Sequence, residues 1–412
     1  MSDTEKTSSQ KDDLVSLLNQ CDRCGACTRI CPLYEVNPLD RATARGKLAL
    51  AKAYLTGVIP EGGKALQAAM EYCLLCGACS EVCPSHIMTA DAMVDMRQRL
   101  GQKYGYSLFH RALSRGMASR GLRALGRVGI AAAQKMAFPK LTGGLLPADP
   151  LAPATGHPGP ALLQAREKAT GGRALPASCQ KIAYFTGCAM GLFFPKAAEA
   201  SVRTLAAAGF QVDRPQVDCC GLPQLAHGLA DTAKALAKEN IQTLEAYDLI
   251  VSDCGSCASS LQGYPALLAD EADWALRATA LSQKIWSFSE VLVAADYHPV
   301  HRDLQVTYHD SCHLNRGLGV HEAPRQLLAE ATDYIEMDRA DRCCGGSGSF
   351  GIEHPDISKK ILVLKEKDAR ATGADVLVAE CPSCLMQLGK IADKGLQVMH
   401  LSQVICPLAK RI

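Results

Sequence analysis

The sequence predicts an α+β/α/β multidomain chain, in which a helical, cysteine-rich N-terminal domain is followed by two duplicated α/β lobes. Three observations predict it. Two CxxCGxCxxxCP runs lie near the N-terminus. Farther on, a single Cys, a CCG and a CxxC occur in that order twice. Around those groups, short apolar runs alternate with amphipathic helical patterns, the signature of a parallel sheet flanked by helices. Eighteen of the 20 cysteines fall in these groups.

The first run is Cys21, Cys24, Cys27 and Cys31 with Pro32, and the second is Cys73, Cys76, Cys79 and Cys83 with Pro84. This is the spacing of bacterial two-cluster ferredoxins, in which the fourth Cys ligates the other cluster. Three thiolates in one tight turn converge on a [4Fe-4S] cubane, while the trailing Cys points away at the start of a helix. The expected ligand sets are therefore Cys21, Cys24, Cys27 and Cys83 for one cubane, and Cys73, Cys76, Cys79 and Cys31 for the other. Gly25 and Gly77 stand where a side chain would crowd the sulfides and where positive φ is often needed. Structural zinc and disulfides are the competing uses of such cysteines. Residues 1–100 form this two-[4Fe-4S] ferredoxin-like domain.

Length and composition agree with a soluble intracellular protein. The chain has 412 residues, enough for two or three domains, and its net charge of +2 predicts no polyanionic partner. The polar N-terminus MSDTEKTSSQKDD carries no apolar core of a secretory signal. No run of eighteen apolar residues suggests a membrane span. Twenty cysteines in a reducing compartment read as metal ligands. The expected location is the cytoplasm, with peripheral contact at the inner face of the cell membrane as one option.

The C-terminal part is a tandem duplication. Cys188, Cys219, Cys220, Cys254 and Cys257 recur as Cys312, Cys343, Cys344, Cys381 and Cys384. Single Cys to CCG spans 31 residues in both copies, and CCG to CxxC spans 34 and 37, so any insertion is confined to one stretch. Each copy opens on an apolar β-rich run (KIAYFTGC, LQVTYHDSC) and a helical pattern (KAAEASVRTLAAAG, EAPRQLLAEA). A short strand, the CCG loop, a second helix and a last strand into the CxxC follow. The lobes are expected at 179–300 and 301–412, with all three cysteine groups at the carboxyl edge of a parallel sheet, where open α/β folds bind ligands. Five thiols per lobe exceed the four that zinc takes.

These two copies resemble the CCG domain of the heterodisulfide reductases. The resemblance implies a noncubane [4Fe-4S] cluster held by the five cysteines, in one or both lobes. Zinc with one Cys left free is the alternative. From residue 14 to 412 the chain resembles the glycolate oxidase iron-sulfur subunit family, with relatives among the iron-sulfur subunits of anaerobic glycerol-3-phosphate and D-lactate dehydrogenases. ARGKL at Ala44 to Leu48 is similar to the family's RGR-type stretch, and His309, Asp310 and His313 around Cys312 resemble its pattern. Ser311, where many relatives have Pro, and ECPSC at Glu380 to Cys384 depart from it.

The resemblance implies an electron-transfer subunit. A partner FAD-binding dehydrogenase subunit would oxidise a 2-hydroxy acid such as glycolate or D-lactate, and this chain would pass the electrons to quinone or another acceptor. The sequence itself shows no acid/base constellation for a substrate, so no catalytic residue is assigned. A second reading, from a different class, is a heterodisulfide-reductase-like catalyst that cleaves a disulfide at noncubane clusters. A third makes the lobes zinc-stapled scaffolds. The literal GxGxxG at Gly346, Gly348 and Gly351 follows cysteines instead of a strand, and reads as a close-approach turn beside a cluster. Gly345 and Gly346 would expose backbone N–H groups to cluster sulfur.

Residues 101–178 form a basic amphipathic helical region and a Pro/Gly linker. Met96 to Ala148 contains no acidic residue and ten basic ones. Ser107 to Phe138 reads either as a membrane- or partner-docking helix or as a helix covering the ferredoxin-like core. Nucleic acid is not expected as a partner, because no binding module is present. Leu141 to Ala177 reads as an extended linker. Cys179 and Cys406 read as small buried hydrophobes. His227 reads either as bordering the first CCG site or, more readily, as a surface or capping residue, while His309 and His313 read either as loop polar groups or as groups that donate hydrogen bonds to sulfur or relay a proton.

Overall fold

The computed structural model describes residues 13–119, 121–122, 170–176, 181–217 and 219–407. Among these, all eight strands lie in the duplicated region and form two four-stranded parallel sheets. In the first lobe β1 (Lys181–Tyr184), β2 (Gln211–Asp213), β3 (Ile250–Ser252) and β4 (Ile285–Ser287) take the order β2-β1-β3-β4. In the second, β5 (Arg302–Tyr308), β6 (Thr332–Tyr334), β7 (Val376–Ala379) and β8 (Gln397–His400) repeat it as β6-β5-β7-β8. The central strands β3 and β7 are buried throughout, as strands covered on both faces must be.

The last strand of each lobe is short, IWS and QVMH, and carries too few residues for a period-2 pattern to register. Each instead runs into a capping box. Ser287 and Glu290 cap the helix Phe288–Ala294, and His400 and Gln403 cap Leu401–Ile405. The reciprocal bonds satisfy amide donors that would otherwise be orphaned at the helix start. Elsewhere, proline at the first helical position starts Pro195–Ala207 and Pro382–Leu388.

The two lobes share one core. Ile182, Tyr184, Val251 and Trp286 of the first pack in the same cluster as Val306, Tyr308, Val376 and Met399 of the second. Backbone and side-chain bonds also cross the junction. Gly255 N–H donates to Glu380 O at 2.9 Å, and His400 Nε2 lies 2.9 Å from Asp253 O. Exposing the shared core would cost about 25 cal/mol per Å² of apolar surface, so separating the lobes is expensive.

Two units divide the chain, and each is described by itself. One contains residues 115–222, 232–344 and 362–412, the other 1–114, 223–231 and 345–361. The second unit is helical and wraps around Leu48, Ala51, Met70, Met93, Met96 and Leu100. It includes the segments that follow each CCG in sequence, so the stretches that the sequence places inside the lobes belong in part to the ferredoxin-like unit. Arg97, one of the ten basic residues, is 6 % exposed and holds this unit together. Its guanidinium donates to the carbonyls of Met70, Glu71, Cys73 and Ala226.

The helix Leu108–Ala118 buries His110 and Ser114, while Leu108 is exposed. Gln224 donates to Ser114 O. This part of the basic stretch therefore covers the helical core. Arg120, Arg123, Arg127, Lys135, Lys140, most of the Leu141 to Ala177 linker, and Cys179 lie outside the described residues. Among the described residues no helix is long and apolar enough to cross a membrane.

Candidate metal centres

Two cavities in the helical unit are built from the paired cysteine runs. One is lined by Cys21, Cys24, Cys27, Cys79 and Cys83, together with Arg45. The other is lined by Cys31, Cys73, Cys76 and Cys79, together with Lys47. Gly25 and Gly77 take positive φ of 82° and 72° just before the short helices that carry the third cysteine of each run, a conformation that disfavours a side chain. The trailing Cys31 caps the helix Pro32–Val36.

Burial dominates the electrostatics of the second cavity. Burial pushes the Cys31 thiol up to about 11 and Cys79 to about 12. Thiols in such surroundings stay neutral unless a cation joins them, and a bound metal is such a cation. Lys47 is fully buried, and burial pulls its ammonium below the usual range. It donates to Arg41 O at 3.0 Å and to Ala42 O. A lysine so placed offsets the negative charge of a thiolate-ligated cluster. Its position inside ARGKL was legible in the sequence, but its burial was not.

In the first lobe the cysteine sulfurs converge from three loops. Cys188 Sγ lies 3.5 Å from Cys219 Sγ. Cys220 hydrogen-bonds both Cys219 and Cys257, and these bonds hold it well below the ordinary thiol range despite its burial. The carbonyl of Cys219 accepts from Asn240, and that of Cys220 accepts from Tyr264 Oη and Ser260 Oγ. The CCG loop is thus fixed through its backbone, leaving its sulfurs for ligation. Gly187, at φ 69°, leaves no room for a side chain, because a Cβ there would lie 2.8 Å from Cys257 Sγ.

The second lobe repeats the pattern. Cys344 Sγ is 3.6 Å from Cys384 Sγ. Hydrogen bonds from Cys343 and Cys384 lower the Cys344 thiol, and one from Cys254 of the first lobe lowers Cys381. Cys312 starts the helix Cys312–Leu318, as Cys188 starts Cys188–Phe193. Buried Lys365 donates to Arg339 O and Ala340 O near the Cys343–Cys344 pair, and burial brings it down to about 8. No motif pointed to Lys365, because it sits in an otherwise ordinary amphipathic helix.

The carboxylic residue before each CxxC is also duplicated. Asp253 Oδ2 accepts from Tyr184 Oη at 2.5 Å, and Glu380 Oε2 accepts from Tyr308 Oη at 3.3 Å. Burial raises both carboxyls, Glu380 to about 8. Of the histidines singled out, His313 is half-buried with Nδ1 2.9 Å from Ser256 Oγ. His227 is half-buried just after the helix Leu222–Ala226, its ring stacked on that of His110 with centroids 3.8 Å apart. The glycines Gly346, Gly348 and Gly351 form a turn in the helical unit, where Ser347 Oγ donates to Leu74 O at 2.8 Å.

Comparison with known proteins fits this geometry. Residues 17–87 match a 4Fe-4S dicluster domain, and residues 182–262 and 306–389 each match a cysteine-rich domain, the CCG family. Over 426 aligned residues the chain is 32% identical to the "Probable glycolate oxidase iron-sulfur subunit" of Bacillus subtilis, covering 97% of this chain and 96% of that protein. It is 33% identical to lactate utilization protein A of a Geobacillus species, over 55% of this chain and 98% of that one. The corresponding protein of Halalkalibacterium halodurans is 35% identical, over 55% of this chain and 96% of its own length. A duplicated pair of α/β lobes behind a dicluster domain, matched along nearly its whole length, places the chain in the glycolate oxidase iron-sulfur subunit family.

Proposed function

We propose that this chain is the wiring subunit of a flavin-dependent 2-hydroxy-acid dehydrogenase, of the glycolate or D-lactate type. It takes electrons from a partner flavoprotein and delivers them to quinone or another acceptor. The observation that carries the proposal is the set of four convergent cysteine sites among the described residues. Cys21, Cys24, Cys27 and Cys83 would hold one cubane, and Cys73, Cys76, Cys79 and Cys31 the other. The five cysteines of a lobe would hold a further, noncubane [4Fe-4S] cluster, in one or both lobes. When bound, such clusters exchange single electrons at potentials set by charge, hydrogen bonding and exposure.

The chain's own residues prepare these sites. Buried Lys47 counters thiolate charge at the second cubane site, and Arg45 borders the first. Asn240, Ser260 and Tyr264 orient the first CCG loop. The shared core keeps the two lobe sites at a fixed separation. Iron, acid-labile sulfide and zinc per anaerobically purified chain, with low-temperature paramagnetic resonance, test the reading. About twelve to sixteen irons support it, at four per [4Fe-4S] centre. About eight irons with zinc in both lobes would confine electron transfer to the helical unit and overturn the role of the lobes.

A further inference from the structure

The two lobes are built alike, yet one residue at the heart of each site differs in kind. Phe185 and His309 occupy equivalent places, each just past the first strand of its sheet. Phe185 N–H donates to Val251 O on β3, and His309 N–H donates to Val378 O on β7, both at 2.8 Å. Each is three residues before the single cysteine of its lobe. Phe185 is fully buried among Cys220, Cys254 and Cys257 in the apolar core of the first lobe. His309 is 1 % exposed, neither of its ring nitrogens makes a well-formed hydrogen bond, and one of them faces Cys344 Sγ. A buried polar group without a well-formed hydrogen bond is costly, and its retention needs a reason. One of those nitrogens and the sulfurs of Cys344 and Cys384 lie within 4.8 Å of one another.

We infer that His309 is an imidazole ligand of the metal centre in the second lobe. The inference rests on the reading that the lobe cysteines bind metal, and it makes the two centres unequal. The first lobe offers sulfur alone, because a phenyl ring fills the place of the imidazole. The second offers thiolates and one neutral nitrogen, a donor set suited to iron or zinc. Where the imidazole takes a coordination position that one of the five thiols would otherwise fill, that thiol stays protonated and the centre carries one negative charge fewer. In an iron-sulfur centre such a replacement raises the reduction potential, so electrons would run from the first lobe toward the second. One of the two nitrogens is then accounted for, as the atom that faces the metal beside Cys344 and Cys384.

The test is X-ray absorption at the iron and zinc edges of the full chain, on the wild type, His309→Phe and His309→Cys, after elemental analysis. The first variant copies the residue that the first lobe already accommodates. The expected result is an imidazole scattering pattern in the wild type that both variants lose. In His309→Cys the metal is retained and sulfur replaces the nitrogen scatterer. The edge that changes tells iron from zinc. Metal in the second lobe with spectra identical in wild type and variants overturns the inference while leaving the wiring role intact. Loss of the centre in both variants, with no imidazole scattering in the wild type, also overturns it. A wild type with no metal in the second lobe overturns the inference together with the part of the functional reading that gives this lobe a centre.

Discussion

Ser256 of the first lobe holds its Oγ 3.3 Å from Sγ of Cys381 in the second. The same hydroxyl lies 2.9 Å from Nδ1 of His313, which follows Cys312 in sequence. A residue between the two cysteines of one CxxC therefore touches a candidate ligand of the other lobe. Ser256→Ala removes both contacts, of which the hydrogen bond to sulfur is worth about 1 kcal/mol. A hydrogen bond to ligand sulfur favours the reduced centre, so its loss should lower the second-lobe potential by roughly 40 mV for one electron. A redox titration that finds only the first-lobe signal moved would contradict this assignment of Ser256.

Lys47 is the buried cation at the second cubane site. Lys47→Met leaves the charge of that site uncompensated. The expected outcome is a lower potential for one of the two cubanes, on the order of 60 mV, a tenfold change in a one-electron equilibrium. Lys47→Arg keeps the charge and should move the potential less. Equal shifts in both variants would point to packing, and not charge, as the role of the side chain.

Arg97 satisfies four backbone carbonyls while itself buried. Arg97→Met removes these four bonds and should destabilise the helical unit by about 3 kcal/mol. Because Cys73 O is among the acceptors, iron retention at the second cubane site should fall as well. Thermal melts and iron content of anaerobically purified protein measure both effects.

His110 Nε2 lies 2.6 Å from Glu353 Oε1, and Ser349 Oγ bridges His227 Nε2 at 3.0 Å and Glu353 Oε2 at 2.8 Å. Burial, and then the neighbouring His110 and Arg97, lower His227 to about 4. Burial alone would raise Glu353, but hydrogen bonds from His110 and Ser349 prevail and hold it at about 2. Both groups bind protons less readily folded than unfolded, so both favour the folded state at neutral pH and lose that contribution on acidification. The His227 part fades from about pH 6.5 to 4, and the Glu353 part below about pH 4.5. Hydrogen exchange should show residues 223–231 and 345–361 opening before the lobes between pH 7 and 5. Protection unchanged over that range would remove His227 from the account.

Gly345 combines a φ of 81° with a site where a Cβ would lie 3.0 Å from Ile361 Cβ and Ser358 O. Gly373 has φ 73° with open space around it. Gly345→Ala should therefore cost about 2 to 3 kcal/mol and Gly373→Ala about 1 kcal/mol, the strain of the backbone alone. Denaturant melts of the two variants should separate them in that order.

The grouping of cysteines, the duplication and the alternation of strands with helices determined the fold class and the family. These depend on spacing and period, which a chain carries in one dimension. The short strands β4 and β8 escaped notice because three or four residues hold too little pattern, and tertiary pairing with β3 and β7 defines them. Packing alone decided the rest. Arg97 and Lys47 look like surface cations until burial is known, and His227 looks like a loop residue until His110 stacks on it. The sequence placed His309 and Ser256 beside cysteines, but not which sulfur a ring nitrogen would face or which a hydroxyl would meet. Local spacing sets what ligands a loop offers, whereas long-range contacts set the charge and hydrogen bonds around them. Those contacts exist only once the lobes share a core.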